Sequence, residues 1–240
     1  MQKICRIAVA VSLSLASANL FALSKGAEET TLPILSPESQ HAQSSKRISK
    51  QFERAHYKSV KIDDALSAQI FDRYIEQLDF SRNIFLASDV ESLKKYRLEF
   101  DKVVSRGKLD IAYEIFNLNM QRRMERYQYA ITLLDKPFDF TVDEAYSFDR
   151  EEAQWPTTVD ELNVLWRSRV KYDALNLTLA GKEWPKVKEI LTKRYNYAIK
   201  RLKQSESEDV FQIVMNSFSR VVEPHTSYLS PRNAERFQMD

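Results

Sequence analysis

The chain predicts an all-α fold, a multi-helix domain behind a cleavable signal peptide and a flexible tether. Three observations carry this. Apolar residues recur three and four positions apart over most of the length, which gathers them on single helix faces. Ser or Thr precedes Glu by three residues at Ser88/Glu91, Thr158/Glu161 and Ser205/Glu208, the spacing of a capping box. Only 3 glycines occur in 240 residues, too few for the turns of a β-sandwich or barrel. With 43% hydrophobic and 29% charged residues the composition is globular, and the length supports a core that needs no disulfide.

The first residues bear on the compartment. Lys3 and Arg6 precede an apolar run from Ile7 to Leu15, and Ala16-Ser17-Ala18 supplies the small residues of a cleavage site. Ala22 is a second candidate for the cleavage position. The run is too short and too rich in serine for a membrane anchor. Cys5 lies ahead of it, where no lipoprotein cysteine would stand, and as the single cysteine it makes no internal disulfide. Residues 1–22 are therefore expected to be a signal peptide and the mature protein periplasmic. Cleavage removes Lys3 and Arg6 from a formal net charge of +2, leaving a near-neutral chain. Net charge thus gives no case for a nucleic-acid partner, and any membrane contact is expected to be peripheral at most. Residues 23–46 place Gly26, Pro33 and Pro37 among Ser, Gln and Glu, the composition of a flexible tether.

A helical domain is expected over 47–222. Asp63 caps a helix that puts Leu66, Ile70, Phe71, Tyr74, Ile75 and Leu78 on one face. Ser88 and Glu91 open a single helix through Val90, Leu93, Tyr96, Phe100 and Val103 to near Gly107. Tyr113, Phe116, Met120, Met124, Tyr127, Ile131 and Leu134 form the longest stripe, on a helix of about 35–40 Å that Pro137 stops. An acidic connection follows and ends at Trp155-Pro156. Thr158 and Glu161 open a helix through Leu162, Trp166, Val170, Ala174 and Leu177 to Gly181. Trp184-Pro185 starts the next, with Val187, Leu191, Tyr195, Ala198 and Leu202 inward. Ser205 and Glu208 open the last, which carries Phe211, Val214, Met215, Phe218 and Val222 and ends at Pro224. Six or seven helices with mostly short connections define an all-α domain.

No active site emerges from these residues. Gly26, Gly107 and Gly181 are isolated, which excludes a P-loop, a dinucleotide-binding turn and a nucleophile elbow. Asp135, Asp139, Asp143, Glu144, Asp149, Glu151 and Glu152 lack the glycine and alternate spacing of a calcium loop and read as a solvated connection. His41, His56 and His225 are the only histidines and fit no zinc spacing, so surface positions and no metal or cofactor are expected. Arg122, Arg123 and Arg126 beside Tyr127 and Tyr129, and the lysines of 186–203 beside Tyr195 and Tyr197, could follow a nucleic-acid strand. Amphipathic helices present such faces anyway, and that is the reading adopted. Spacing nominates no Ser–Lys dyad.

The C-terminal run from Glu223 to Phe237 resembles a signature of the C-terminal-processing, or tail-specific, serine proteases of bacterial periplasms. Their motif of an acidic residue, Pro-His-Thr/Ser, any residue and Tyr-Leu-Ser-Pro falls on Glu223, Pro224, His225, Thr226, Tyr228, Leu229, Ser230 and Pro231. Glu223 stands where the family more often has Asp. Residues 71–74, 86–90, 125–130 and 207–211 resemble the family's N-terminal helical domain in the same order. The resemblance implies a periplasmic endopeptidase that recognises proteins by apolar C-terminal tails. It also implies that 223–240 leads to a PDZ domain, with the catalytic Ser and Lys further on, so that no catalytic residue falls in this chain. In such enzymes the helices shape the vault around the substrate and can dock a periplasmic adaptor. A reading from a different class is a stand-alone periplasmic helical binding module. The reading frame after Asp240 separates the two.

Overall fold

The computed structural model describes residues 31–57, 59–231 and 234–235, and the signal-peptide positions Ala18 and Ala22 lie outside them. Chain compactness divides at residues 31 and 32, and everything below belongs to the unit that starts at Leu32. Its described residues form eight α-helices and no strand: α1 (Ser39–Ala55), α2 (Asp64–Leu78), α3 (Ala87–Leu93), α4 (Phe100–Arg106), α5 (Asp110–Thr132), α6 (Val159–Leu179), α7 (Trp184–Lys203) and α8 (Ser207–Val222). None of these helices is long and apolar enough to cross a membrane.

Two apolar cores share α5. In the first, α5 contributes Tyr113, Ile115, Phe116 and Met120 against Ile70, Tyr74 and Leu78 of α2, Phe100 and Val103 of α4, and Phe211, Val214 and Phe218 of α8. In the second, Ala130 near its far end and Leu134 in the 3₁₀ turn that follows meet Leu162, Trp166 and Val170 of α6 and Val187, Leu191 and Tyr195 of α7. Each large side chain removed from water contributes about 1.5–3 kcal/mol, so the 23-residue α5 draws stability from both ends. The expected inward stripes of α2, α5, α6, α7 and α8 are the buried faces observed.

The turn after α2 joins the cores. Asp79 is buried, and its carboxylate accepts from the backbone N–H groups of Asn83, Ile84 and Phe85 at 2.9, 3.1 and 3.0 Å and from Trp155 Nε1 at 3.1 Å. Phe85 enters the first core and Ile84 the second. Arg82 takes a left-handed φ of 47° inside this turn, and its guanidinium lies over Trp155.

Several expectations need correction. The tether of residues 23–46 is not a tether over its described second half. Leu32 and Leu35 pack on the first core, and α1 begins at Ser39, eight residues before the expected domain start. The helix expected from Ser88 to Gly107 is broken by a 3₁₀ turn at Lys94–Tyr96. Ser67 of α2 supports the break, donating to Arg97 O at 3.0 Å and accepting from Asp101 N at 3.1 Å, and the chain restarts with Phe100, Val103 and Val104 buried.

Two capping boxes shift. At α3 the Leu86 amide donates to Asp89 instead of a Ser88 amide to Glu91, because Ala87 N is held by Pro156 O at 2.8 Å and the helix begins earlier. At α8 the Glu206 amide donates to Asp209, leaving Glu208 free for another role. At α6 the Thr158 hydroxyl caps the Glu161 amide as expected, while the Glu161 carboxylate accepts from the preceding residue, Thr157. The acidic connection is mostly exposed but is pinned to α6 where Glu144 bridges Arg167 at 2.7 Å and Lys171 at 2.9 Å.

Candidate functional site

The residues that carry the family motif fold back onto α8. Pro224 cannot continue the helix, and Glu223 to Thr226 make a turn closed by Thr226 N donating to Glu223 O at 3.0 Å. Glu223 accepts from the Tyr57 hydroxyl, and Ser219 Oγ donates to Thr226 O at 3.1 Å. Tyr228 N donates to Asn216 Oδ1 at 2.8 Å, and the Tyr228 ring stands edge-on to Phe211. Pro224, His225 and Leu229 are exposed, and Ser230 is buried. The segment 223–231 is thus a strap held by side chains of α8.

The strap joins a half-buried polar cluster. The Tyr228 hydroxyl donates to Glu208 Oε1 at 2.9 Å, and Glu208 Oε2 lies 2.9 Å from His41 Nε2. His41 is 2% exposed and stacks flat on Phe211, with ring centroids 4.6 Å apart. Its Nδ1 accepts from the Glu38 amide at 3.2 Å, so Nε2 carries the hydrogen that Glu208 receives. The Tyr113 hydroxyl lies 3.1 Å from the same Nδ1, donates to Ser207 O at 2.8 Å and lies 3.0 Å from Ser207 Oγ. Burial pushes the Tyr113 phenol up to about 12, and burial together with the Glu208 hydrogen bond raises Tyr228 further. Both tyrosines therefore act as neutral hydrogen-bonding groups.

Sequence reasoning placed the histidines at the surface, and His41 overturns that. Its signal was available only as spacing: His41, Ser45 and Ser49 fall one helical turn apart and are the buried face of α1. Glu208 was expected to cap Ser205 and instead joins His41 to the strap. His56 caps the other end of α1 and stacks on Phe52. Among the described residues no three His, Cys, Asp or Glu side chains gather as a metal site.

Beside the strap lies an open cleft of 1240 Å³ between α5, α7 and the start of α8, with Arg123, Tyr127, Tyr197, Arg201 and Pro231 on its walls. Tyr127 and Tyr195 serve the second core, packing with Trp166, as the amphipathic reading expects. Lys186 and Lys193 pair with Glu189, Lys188 with Asp135 and Arg194 with Asp173, so the first half of the basic face of α7 is ion-paired. Glu189, between two lysines, is lowered to about 2.

An all-α scaffold closed by a Glu-Pro-His-Thr strap defines a helical domain. The family model for the tail specific protease N-terminal domain matches residues 48–232, and the chain belongs to that family. A curated relative, the tail-specific protease of Haemophilus influenzae, is 46% identical over 210 residues, which cover 87% of this chain and 30% of the relative. The chain thus spans about a third of the length of the relative it matches.

Proposed function

We propose that this chain is the helical N-terminal part of a periplasmic tail-specific serine endopeptidase, helping to enclose protein substrates that present apolar C-terminal tails. Membership of the family supports the reading most, and the strap adds to it. A segment held at Glu223, Thr226 and Tyr228 gives whatever follows it a defined starting direction. In this reading a PDZ domain and the catalytic Ser and Lys follow the motif. Acyl transfer needs an activated nucleophile and donors preorganised for the oxyanion, and those groups are assigned to that later part. The helices contribute walls to the enclosure and a surface on which a periplasmic adaptor docks.

The test joins residues 23–240 to the remainder of the Haemophilus relative and offers a reporter protein with either an apolar or an acidic C-terminal tail. The fusion is expected to cleave only the apolar-tailed reporter, and residues 23–240 alone neither. A folded fusion that cleaves neither overturns the reading. So does specific cleavage by residues 23–240 alone that a single Ser substitution abolishes. For the compartment, periplasmic protein should begin just after Ala18 or Ala22, and a chain still starting at Met1 overturns export.

A further inference from the structure

The N-terminal arm and the C-terminal strap never touch in sequence, yet they meet on the same two side chains. We propose that His41, Glu208 and Tyr228 form a mechanical relay through which the arm, residues 32–55, sets whether the strap, residues 224–231, is held or released. The inference is a property of this chain's own contacts and goes beyond the protease reading.

The arm is tied down by polar groups more than by apolar burial. Leu35 exchanges two hydrogen bonds with the Asn117 side chain at 3.0 and 2.9 Å, and Ser36 O accepts from Ser207 Oγ at 2.6 Å. In α1 the buried positions are His41, Ser45 and Ser49, and Ser45 Oγ donates to Val104 O at 2.7 Å. Ile48 and Phe52 add a partly buried apolar edge. Such an element, whose own fully buried positions are polar, opens at lower free energy than the cores.

Opening the arm reaches the strap because Glu208 serves both. One carboxylate oxygen faces His41 Nε2 and the other accepts from the Tyr228 hydroxyl. Phe211 packs flat on the His41 ring and edge-on against the Tyr228 ring, 5.2 Å between centroids. Withdrawing His41 removes one donor from the Glu208 carboxylate and uncovers one face of Phe211. Both changes free Glu208 and Phe211 to leave the positions that seat Tyr228. Coupling of this kind is reciprocal, so loss of the Tyr228 hydroxyl must loosen the arm in turn.

Amide hydrogen exchange on the full chain tests this with His41→Ala, Tyr228→Phe and Glu208→Ala, read at the strap, at α1 and at buried amides of α5. His41→Ala should speed exchange of residues 226–230 about tenfold, and Tyr228→Phe should speed that of α1 by a similar factor, with α5 unchanged. Glu208→Ala should loosen both, and adding His41→Ala to it should change the strap by less than His41→Ala does alone. His41→Gln, which can still donate to Glu208, should restore most of the strap's protection. The relay is overturned if each substitution loosens only its own element. It is equally overturned if all three segments, α5 included, speed up by the same factor, since that is global destabilisation.

Discussion

A β-carbon built on Gly107 would lie 2.6 Å from the carbonyl oxygen of Ala42, so the end of α4 and the first turn of α1 meet backbone to backbone. Gly107 also closes α4 in the left-handed region, at φ 65°. Gly107→Ala must therefore both strain its own backbone and push α1 away, at a cost of about 2–4 kcal/mol. Gly181 is the internal control: its φ is 76°, and nothing lies within 4 Å of an added β-carbon. Gly181→Ala should cost about 1 kcal/mol, from backbone strain alone. Urea unfolding of the two variants separates steric conflict from conformational strain.

Asp79 gathers three backbone amides and an indole N–H on one buried carboxylate. Asp79→Ala strands those donors and should cost on the order of 3 kcal/mol or more, because each unsatisfied buried donor is expensive. Asp79→Asn keeps one acceptor oxygen and should cost less. The same unfolding curves, followed by tryptophan fluorescence, rank the two.

Glu144 holds the acidic connection to α6 through Arg167 and the buried Lys171. Glu144→Ala should leave helix content unchanged by circular dichroism while making residues 139–152 the first site of limited proteolysis. Unchanged cleavage there would show that the connection is held by its aromatic contacts, Tyr146 and Phe148 against Tyr172.

Four of the 11 tyrosines have raised phenol pKa values in the folded chain, chiefly through burial: Tyr74, Tyr113, Tyr195 and Tyr228. An exposed tyrosine titrates near pH ~10, so above that pH the unfolded chain gives up these protons while the folded chain keeps them. Their contribution to stability is whole below about pH 10 and is lost as the pH climbs toward the folded values. Tyrosinate absorbance should therefore show an incomplete titration until the protein unfolds in alkali, and Tyr113→Phe should flatten the loss of stability between about pH 10 and 12.

The sequence by itself determined α2 and α5 to α8, their inward stripes and the place where α8 stops. Each of those rests on local rules: a period of 3.6 residues, a capping side chain, a proline without an amide hydrogen. It also carried the family motif, because that motif is contiguous. Tertiary structure decided the rest. The inner face of α1 reads as polar in the sequence, since His41 and Ser45 find their partners on α8 and α4, up to 167 residues away. The starts of α3 and α8 moved because Pro156 and Ser36, distant in the chain, claimed hydrogen-bonding groups beside their caps. The single helix expected before Gly107 broke because a serine of α2 could satisfy the freed backbone. Periodicity reports how much apolar surface a helix must bury. Which polar groups may be buried with it depends on partners that only the folded chain brings within 3 Å.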